Sequence, residues 1–381
     1  MSSPPASPPP VPAEPAWGEL IGRALAGGVI STAYQPIVDV ARGCVVGYEA
    51  LARFDGQPVT DPHAWFQAAR SCGVAAELEA LALRSALRHR PSLPANCFLS
   101  VNVSPDLIGT SPVRAVLDGE GDLGALVIEL TEDARVDSYA DLALDLRRLR
   151  AAGAVVAVDD AGAGYAGLSH LLEVRPGIIK LDRQLITDID RDEAKRALVE
   201  LIGAFSSRID AWLLAEGVET TAELDVIASL GVPLVQGYLV GRPAPPWSAM
   251  PEDVALRLIA AAAPQDGASL RRLLEVAPTA QELNTARTVL AADAAVDAVV
   301  MVDHLGRPVG LADPSSIALR APARAMLAHL DTPVHEAARR SLTRQRWELF
   351  LPIVCTDSAG RYVGIVRIER LIGALAEAVA S

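Results

Sequence analysis

Short apolar runs along this chain end, one after another, in side chains that can hold a cation or move a proton. VVGYEALARF delivers Glu49 and Arg53, FLSVNVS delivers Asn102, ALVIELTED delivers Glu129 and Glu132, and VVAVDDAGAGY delivers the adjacent pair Asp159 and Asp160. IIKLD adds Lys180 and Asp182, WLLAEGVET adds Glu216 and Glu219, and LVQGYLVG adds Gln236. Oxygen ligands without paired thiolates or a histidine cluster suit Mg2+ or Mn2+ rather than zinc. Two ionised aspartates side by side repel one another unless a cation sits with them. A two-metal centre that activates water against a phosphodiester would account for the pair. Taken singly, each residue has a plainer reading: a solvated loop carboxylate, a helix N-cap at Asp160, a lysine lying along apolar surface at Lys180, a strand cap at Gln236.

Between these runs lie stretches with helical spacing. In DLALDLRRLRAAG, Leu142, Leu146 and Leu149 recur on one face and Gly153 supplies a stop. Strand and helix alternate at least six times over about 250 residues, which favours a parallel sheet closed into an α/β barrel. Active sites of such barrels collect at the carboxyl ends of the strands. The strand bodies here are Val, Ile, Leu and Ala, and the polar residues fall at those ends.

With 381 residues, 51% of them hydrophobic, the chain predicts two or three domains with a sizeable core. The first fifteen residues carry seven prolines and no Lys or Arg, unlike a secretory signal, and residues 1–16 are expected to form a disordered tail. No apolar run approaches the roughly 20 residues of a membrane span, so no membrane partner is expected. A net charge of −13 argues against binding long nucleic acids but leaves room for a small anionic nucleotide held by cations. The four cysteines, Cys44, Cys72, Cys97 and Cys355, form no paired motif and read as reduced thiols of a cytoplasmic protein.

From about Tyr34 to Pro245 the chain resembles the EAL family of cyclic-di-GMP phosphodiesterases. The motifs that carry the resemblance are YQPIV at 34–38, EALAR at 49–53, NVS at 102–104, ELTE at 129–132, DDAGAGY at 159–165, KLD at 180–182, EGVE at 216–219 and QGY at 236–238. The resemblance implies a modified TIM-type (β/α)8 barrel over residues 17–262, hydrolysis of cyclic di-GMP to linear pGpG, a two-metal Mg2+ or Mn2+ site, and a homodimer. By the same resemblance Glu49, Asn102, Glu129 and Asp159 hold one metal, with Asp159 shared and Asp160 serving the second. Lys180 orients water or phosphate, and Glu216 is the general base or a further metal-side carboxylate. Gln35, Leu51, Arg53, Asp182 and Gln236 contact substrate, while Glu132 and Glu219 support the loop after Asp160. That loop reads DDAGAGYAGL where the family often has DDFGTGYSSL, which bears on metal affinity while leaving every ligand position filled. A cyclic-di-GMP receptor without turnover, and a metal-dependent barrel hydrolase of another phosphodiester, are the competing expectations.

Residues 263–381 repeat themselves. At an offset of 54, Asp303, Gly306, Arg307, Val309 and Gly310 match Asp357, Gly360, Arg361, Val363 and Gly364. Each copy reads as a helical stretch, a strand, a D-x-x-G-R turn and a second strand, with glycine supplying positive φ. The tandem resembles a pair of CBS domains, a small α/β regulatory module. Where that family often places a phosphate- and ribose-reading Thr and Asp, this chain has Asp313 and Ser316 in one copy and Arg367 and Arg370 in the other. A nucleotide or other signal ligand there therefore competes with a structural or dimerising role. The arginine-rich segments RLLEVAP and RAMLAHL read as helices between the domains.

Overall fold

The computed structural model describes residues 16–380 apart from 28, 56, 58–60, 132–138, 162–166, 263–268, 294, 331, 345–347 and 358–359, and omits the side chains of 160, 161, 167–170, 259–262 and 377–380. The proline-rich tail, Glu132, the side chain of Asp160 and the heart of the DDAGAGY loop thus lie outside the described residues.

Eight strands close into a barrel in sequential order. They are β1 (Ser31–Asp39), β2 (Cys44–Arg53), β3 (Phe98–Val103), β4 (Leu126–Leu130), β5 (Val155–Ala161), β6 (Ile178–Leu181), β7 (Trp212–Ala215) and β8 (Leu234–Val235). From β2 to β8 every neighbouring pair is parallel. The departure from an all-parallel sheet is β1, antiparallel to both β2 and β8. Residues 40–43 are all that join β1 to β2, too few for the crossover a parallel pair requires. Around the strands run α1 (Trp17–Leu25), α2 (Pro62–Ser71), α3 (Ala75–Leu87), α4 (Ser111–Glu120), α5 (Tyr139–Ala151), α6 (Gly167–Val174), α7 (Arg183–Ile186), α8 (Glu193–Arg208), α9 (Thr221–Ser229) and α10 (Glu252–Ala262).

Alternation along the strands sorts side chains between two cores. Leu126, Ile128, Ile179, Leu181 and Leu213 face outward and pack with helix residues such as Leu146, Leu149, Val199 and Leu224. Ile37, Val46, Val127, Ala157, Ile178, Leu214 and Leu234 face inward and fill the lower barrel. No helix among the described residues is long and apolar enough to cross a membrane.

Two small sheets follow, one per repeat. The first module is β9 (Thr279–Ala280), α11 (Leu283–Ala292), β10 (Val299–Val302), β11 (Pro308–Ala312) and α12 (Pro314–Leu319). The second runs β12 (Met326–His329), α13 (Val334–Ser341), β13 (Ile353–Thr356), β14 (Tyr362–Val366) and α14 (Ile368–Ala380), with the same strand pairing. Both D-x-x-G-R turns close alike: the Asp303 and Asp357 carboxylates accept from the Arg307 and Arg361 amides at 2.8 Å, with Gly306 and Gly360 at φ +77° and +73°. The modules also trade leading segments. Ala323, just before β12, pairs with Leu311 of the first module, and Glu275, just before β9, pairs with Ile365 of the second. Both backbone hydrogen bonds form in each bridge.

The expected arginine-rich helices are absent. Within RLLEVAP only a short 3-10 turn, Leu270–Leu273, is helical. RAMLAHL forms β12, whose Met326 and Ala328 are buried while Leu327 is exposed, an alternation of strand period. Arginines of the tandem, Arg324 of RAMLAHL among them, dock it on the barrel. Arg307 donates to the carbonyls of Ala151 and Ala152 at the end of α5, Arg324 to Ile209 at the end of α8, and Arg339 to Gly231 just past α9. Each cation meets the carbonyl-rich, partly negative end of a helix.

Gly153 shows how close this docking is. Its φ is +107°, and a Cβ there would lie 1.1 Å from Arg307 Nη1. Gly153→Ala is expected to cost about 1–3 kcal/mol from backbone strain alone and more from the clash. In an Arg307→Ala background the clash component should vanish, so a double-mutant cycle by chemical denaturation should show a nonzero coupling term.

Candidate active site

The period of two that builds the lower core also builds the site above it. Two residues after Val127 comes Glu129, after Ala157 Asp159, after Ile178 Lys180, after Leu214 Glu216, and after Leu234 Gln236. Each polar side chain therefore stands directly above an apolar one, at the carboxyl end of its strand. On β3 the same face carries Phe98, Ser100 and Asn102.

Lys180 is the hub, with 1% of its surface exposed. Its Nζ lies 2.5 Å from Glu216 Oε1, 2.7 Å from Glu129 Oε2, 3.3 Å from Asp159 Oδ1 and 3.6 Å from Glu49 Oε1. Glu49 in turn accepts from Asn102 Nδ2 at 2.8 Å and from Gln236 Nε2 at 2.6 Å. Gln236 Nε2 also reaches Gln35 Oε1 at 3.0 Å, and Gln35 Nε2 donates to the Gly241 carbonyl. Ser100, which the sequence reading passed over, donates to Glu129 Oε1 at 2.5 Å. The sign that could have found it was its place two residues before Asn102, on the same face of β3.

Four acids around one ammonium leave an excess of negative charge, and the titration of the group reflects it. Burial pushes the Glu216 carboxyl up to about 8, Asp159 and Glu49 adding to the shift against the pull of Lys180. Glu129 lies well above the usual carboxylate range because it is buried beside Glu49. Burial works against charge on Glu49 too, but Lys180 and the donors Gln236 and Asn102 outweigh it and hold this carboxyl below its ordinary value. Burial alone would lower the Lys180 ammonium, but the four carboxylates raise it well above its ordinary value.

Among the described residues no three acidic, imidazole or thiolate groups form an arrangement ready for a metal, and Lys180 fills the centre of the acids. The donor set nevertheless fits a hard divalent cation: every anionic group is a carboxylate, and Gln236 Oε1 is buried without a hydrogen-bond partner.

Other expected site residues fall outside this cluster. Leu51 and Arg53 lie further along β2, and Arg53 Nη1 donates to the Ala52 carbonyl. Asp182 caps α7, accepting from the Gln184 amide at 2.7 Å. Glu219 pairs with Arg183 at 2.8 Å, tying the rim of β7 to α7. Two buried carboxylates that the sequence reading missed order the loops. Glu79 accepts from the Ser104 amide and hydroxyl after β3. Glu223 accepts from the amides of Asp188, Glu219 and Thr220. Thr220 and Glu223 form a capping box that was legible as T-x-x-E. The glycine of QGY is fixed by crowding, since a Cβ on Gly237 would lie 2.1 Å from the Val218 carbonyl oxygen.

An eight-stranded α/β barrel with one antiparallel strand and a buried acidic ring at its carboxyl end defines the class of protein. The EAL domain model matches residues 20–243, and the chain belongs to the EAL domain family. A CBS domain model matches residues 324–377, the second C-terminal module. The chain is 32% identical over 239 residues to the cyclic di-GMP phosphodiesterase NbdA of Pseudomonas aeruginosa, covering 60% of this chain and 30% of that one. It is 29% identical over 238 residues to the probable cyclic di-GMP phosphodiesterase PdeG of Escherichia coli, covering 59% and 46%. Thus the match spans less than half the length of either relative. The solved PaMucR phosphodiesterase, in complex with c-di-GMP, superposes with a TM-score of 0.55 at 27% identity, over 60% of this chain and 98% of that one.

Two outcomes follow from the charge balance. Lys180→Met should destabilise the metal-free barrel by about 3–5 kcal/mol, the usual result of stripping one partner from a buried ion pair; urea denaturation with and without Mn2+ should show the metal recovering part of the loss. For Glu216 the folded value, about 8, exceeds the reference 4.5. The protonated group therefore stabilises the metal-free fold below that reference, and the contribution disappears as pH rises through about 8. A cation competes with that proton, so Mn2+ affinity measured calorimetrically should increase from pH 6.5 to 8.5, with proton release on binding.

Proposed function

We propose that this chain hydrolyses cyclic di-GMP to linear pGpG in bacterial second-messenger signalling, with Mg2+ or Mn2+ as cofactor and the C-terminal modules as its regulatory part. The observation that carries the reading is the ring of Glu49, Glu129, Asp159 and Glu216 around Lys180 at the strand ends. The two phosphodiesterases named above, and the c-di-GMP bound to the PaMucR structure, support the substrate.

In this reading Glu49, Asn102, Glu129, Asp159 and Asp160 hold the cations. When bound, these supply Lewis-acid activation of water and of a phosphate oxygen. The residues of the chain do the rest. Lys180 sets a positive charge beside the phosphate as negative charge grows on its oxygens. Glu216, ionised once bound cations displace its proton, takes the proton from water as the new P–O bond forms. The P–O3′ bond breaks and the departing oxygen takes a proton from solvent. Arg53 offers its planar fork to a non-bridging oxygen, and Gln35 and Gln236 fix Glu49 at the edge of the substrate.

Incubation of purified protein with cyclic di-GMP and Mn2+, with products resolved by chromatography, tests the proposal. Wild type should release pGpG, and Glu49→Ala should lose about a hundredfold or more of the rate. Binding of cyclic di-GMP without product in any metal would make the chain a receptor. No binding at all would remove the substrate assignment.

A further inference from the structure

A cavity of about 400 Å3 lies between the underside of the barrel and α13, on the face opposite the acidic ring. The C-terminal half of α8, the start of β7 at Trp212, the turn after α9 and the inner side of α13 enclose it. We propose that this cavity is a binding site for a small organic anion, a flat apolar body bearing a single carboxylate or phosphate.

Arg340 is the residue that would hold the anion. It is 6% exposed, and its Nη2 donates to the Leu327 carbonyl at 2.9 Å. Its Nε and Nη1 are buried and have no hydrogen-bond partner among the described residues. Arginine cannot shed its proton to relieve such a position, and an unmet charged donor is expensive. The neighbouring arginines behave otherwise: Arg307, Arg324, Arg339 and Arg344 all spend donors on backbone carbonyls. Arg340 alone of this group combines deep burial with two idle donors, and its side chain lines the cavity.

The rest of the lining agrees with an anion that has an apolar part. Trp212 is half-buried, with its ring centroid 5.5 Å from the Arg340 guanidinium carbon, and Leu213, Leu230 and Pro233 extend the apolar wall. Two carboxyl groups, Glu200 and Glu336, also line the cavity, and burial raises that of Glu336 against the pull of Arg340. The volume is in the range of small-molecule sites, about 300–1,000 Å3. An occupant would touch both the barrel and the second C-terminal module, so its binding would favour their docked arrangement.

Calorimetric titration of the full chain with phenyl phosphate, benzoate and inorganic phosphate tests the site. One phenyl phosphate or benzoate should bind per chain. Arg340→Met should weaken that binding about tenfold or more, the effect of losing a charge-assisted pair of donors. Ala204→Phe leaves Arg340 and its hydrogen bond to Leu327 in place but fills the mouth of the cavity, and should block the probes. A preference for phenyl phosphate identifies a phosphate ligand, and the reverse a carboxylate. The proposal falls if neither aromatic probe binds, if both variants bind them as wild type does, or if inorganic phosphate binds as tightly as phenyl phosphate and Ala204→Phe is without effect. None of these readouts depends on phosphodiesterase activity.

Discussion

The ammonium of Lys180, sealed under four carboxylates, is the constraint on which the barrel turns. Each acid comes from a different strand, and without a cation between them they would force those strands apart. Burying an ammonium among carboxyl groups is costly, and the 2.5–3.6 Å contacts of Lys180 offset that cost. Strand register follows from this. A slip of β6 by one residue would aim Lys180 into the outer core and leave the acids without a counter-ion. Because Ile178 lies beneath Lys180 in the inner core, the same slip would also drag an apolar side chain out of the barrel. Charge pairing above and packing below therefore specify one alignment.

Much of this was legible before any coordinates. Glu49, Asn102, Glu129, Asp159, Lys180, Glu216 and Gln236 could be found because each ends an apolar run, and the barrel followed from the alternation of strands and helices. What the sequence hid was nonlocal. The spacing of YEALARF does not reveal that Arg53 donates to the Ala52 carbonyl, nor does KLD reveal that Asp182 caps α7. Ser100 was lost inside a string read for its asparagine. RAMLAHL has the composition of a helix, yet pairing with β13 imposed a strand, a tertiary override of local propensity. The direction of β1 was implied by the brevity of the link to β2, although strand alternation alone suggested uniformity.

The tandem docks on the side of the barrel opposite the acids, through arginines set against the ends of α5, α8 and α9. Anything that shifts the modules pulls on the carbonyl termini of the helices that flank β5, β6, β7 and β8, four of the strands that position site residues. Asp313 and Ser316, placed where a nucleotide-reading pair would stand, are occupied in a capping box on α12. Arg367 and Arg370 are held by Glu275 and Asp297. These positions serve the cohesion of the tandem.

The exchange of leading segments between the modules has a consequence for how such a region can change. Ala323 completes the sheet edge of the first module, and Glu275 that of the second, so each half is finished only by chain that belongs to its twin. The two repeats are interlocked like clasped hands. Deleting either one, or inserting a new domain at the joint between them, would strip a bonded edge from the survivor. Recombination that respects folding must therefore move the duplicated unit whole, and the smallest portable piece of this region is the pair.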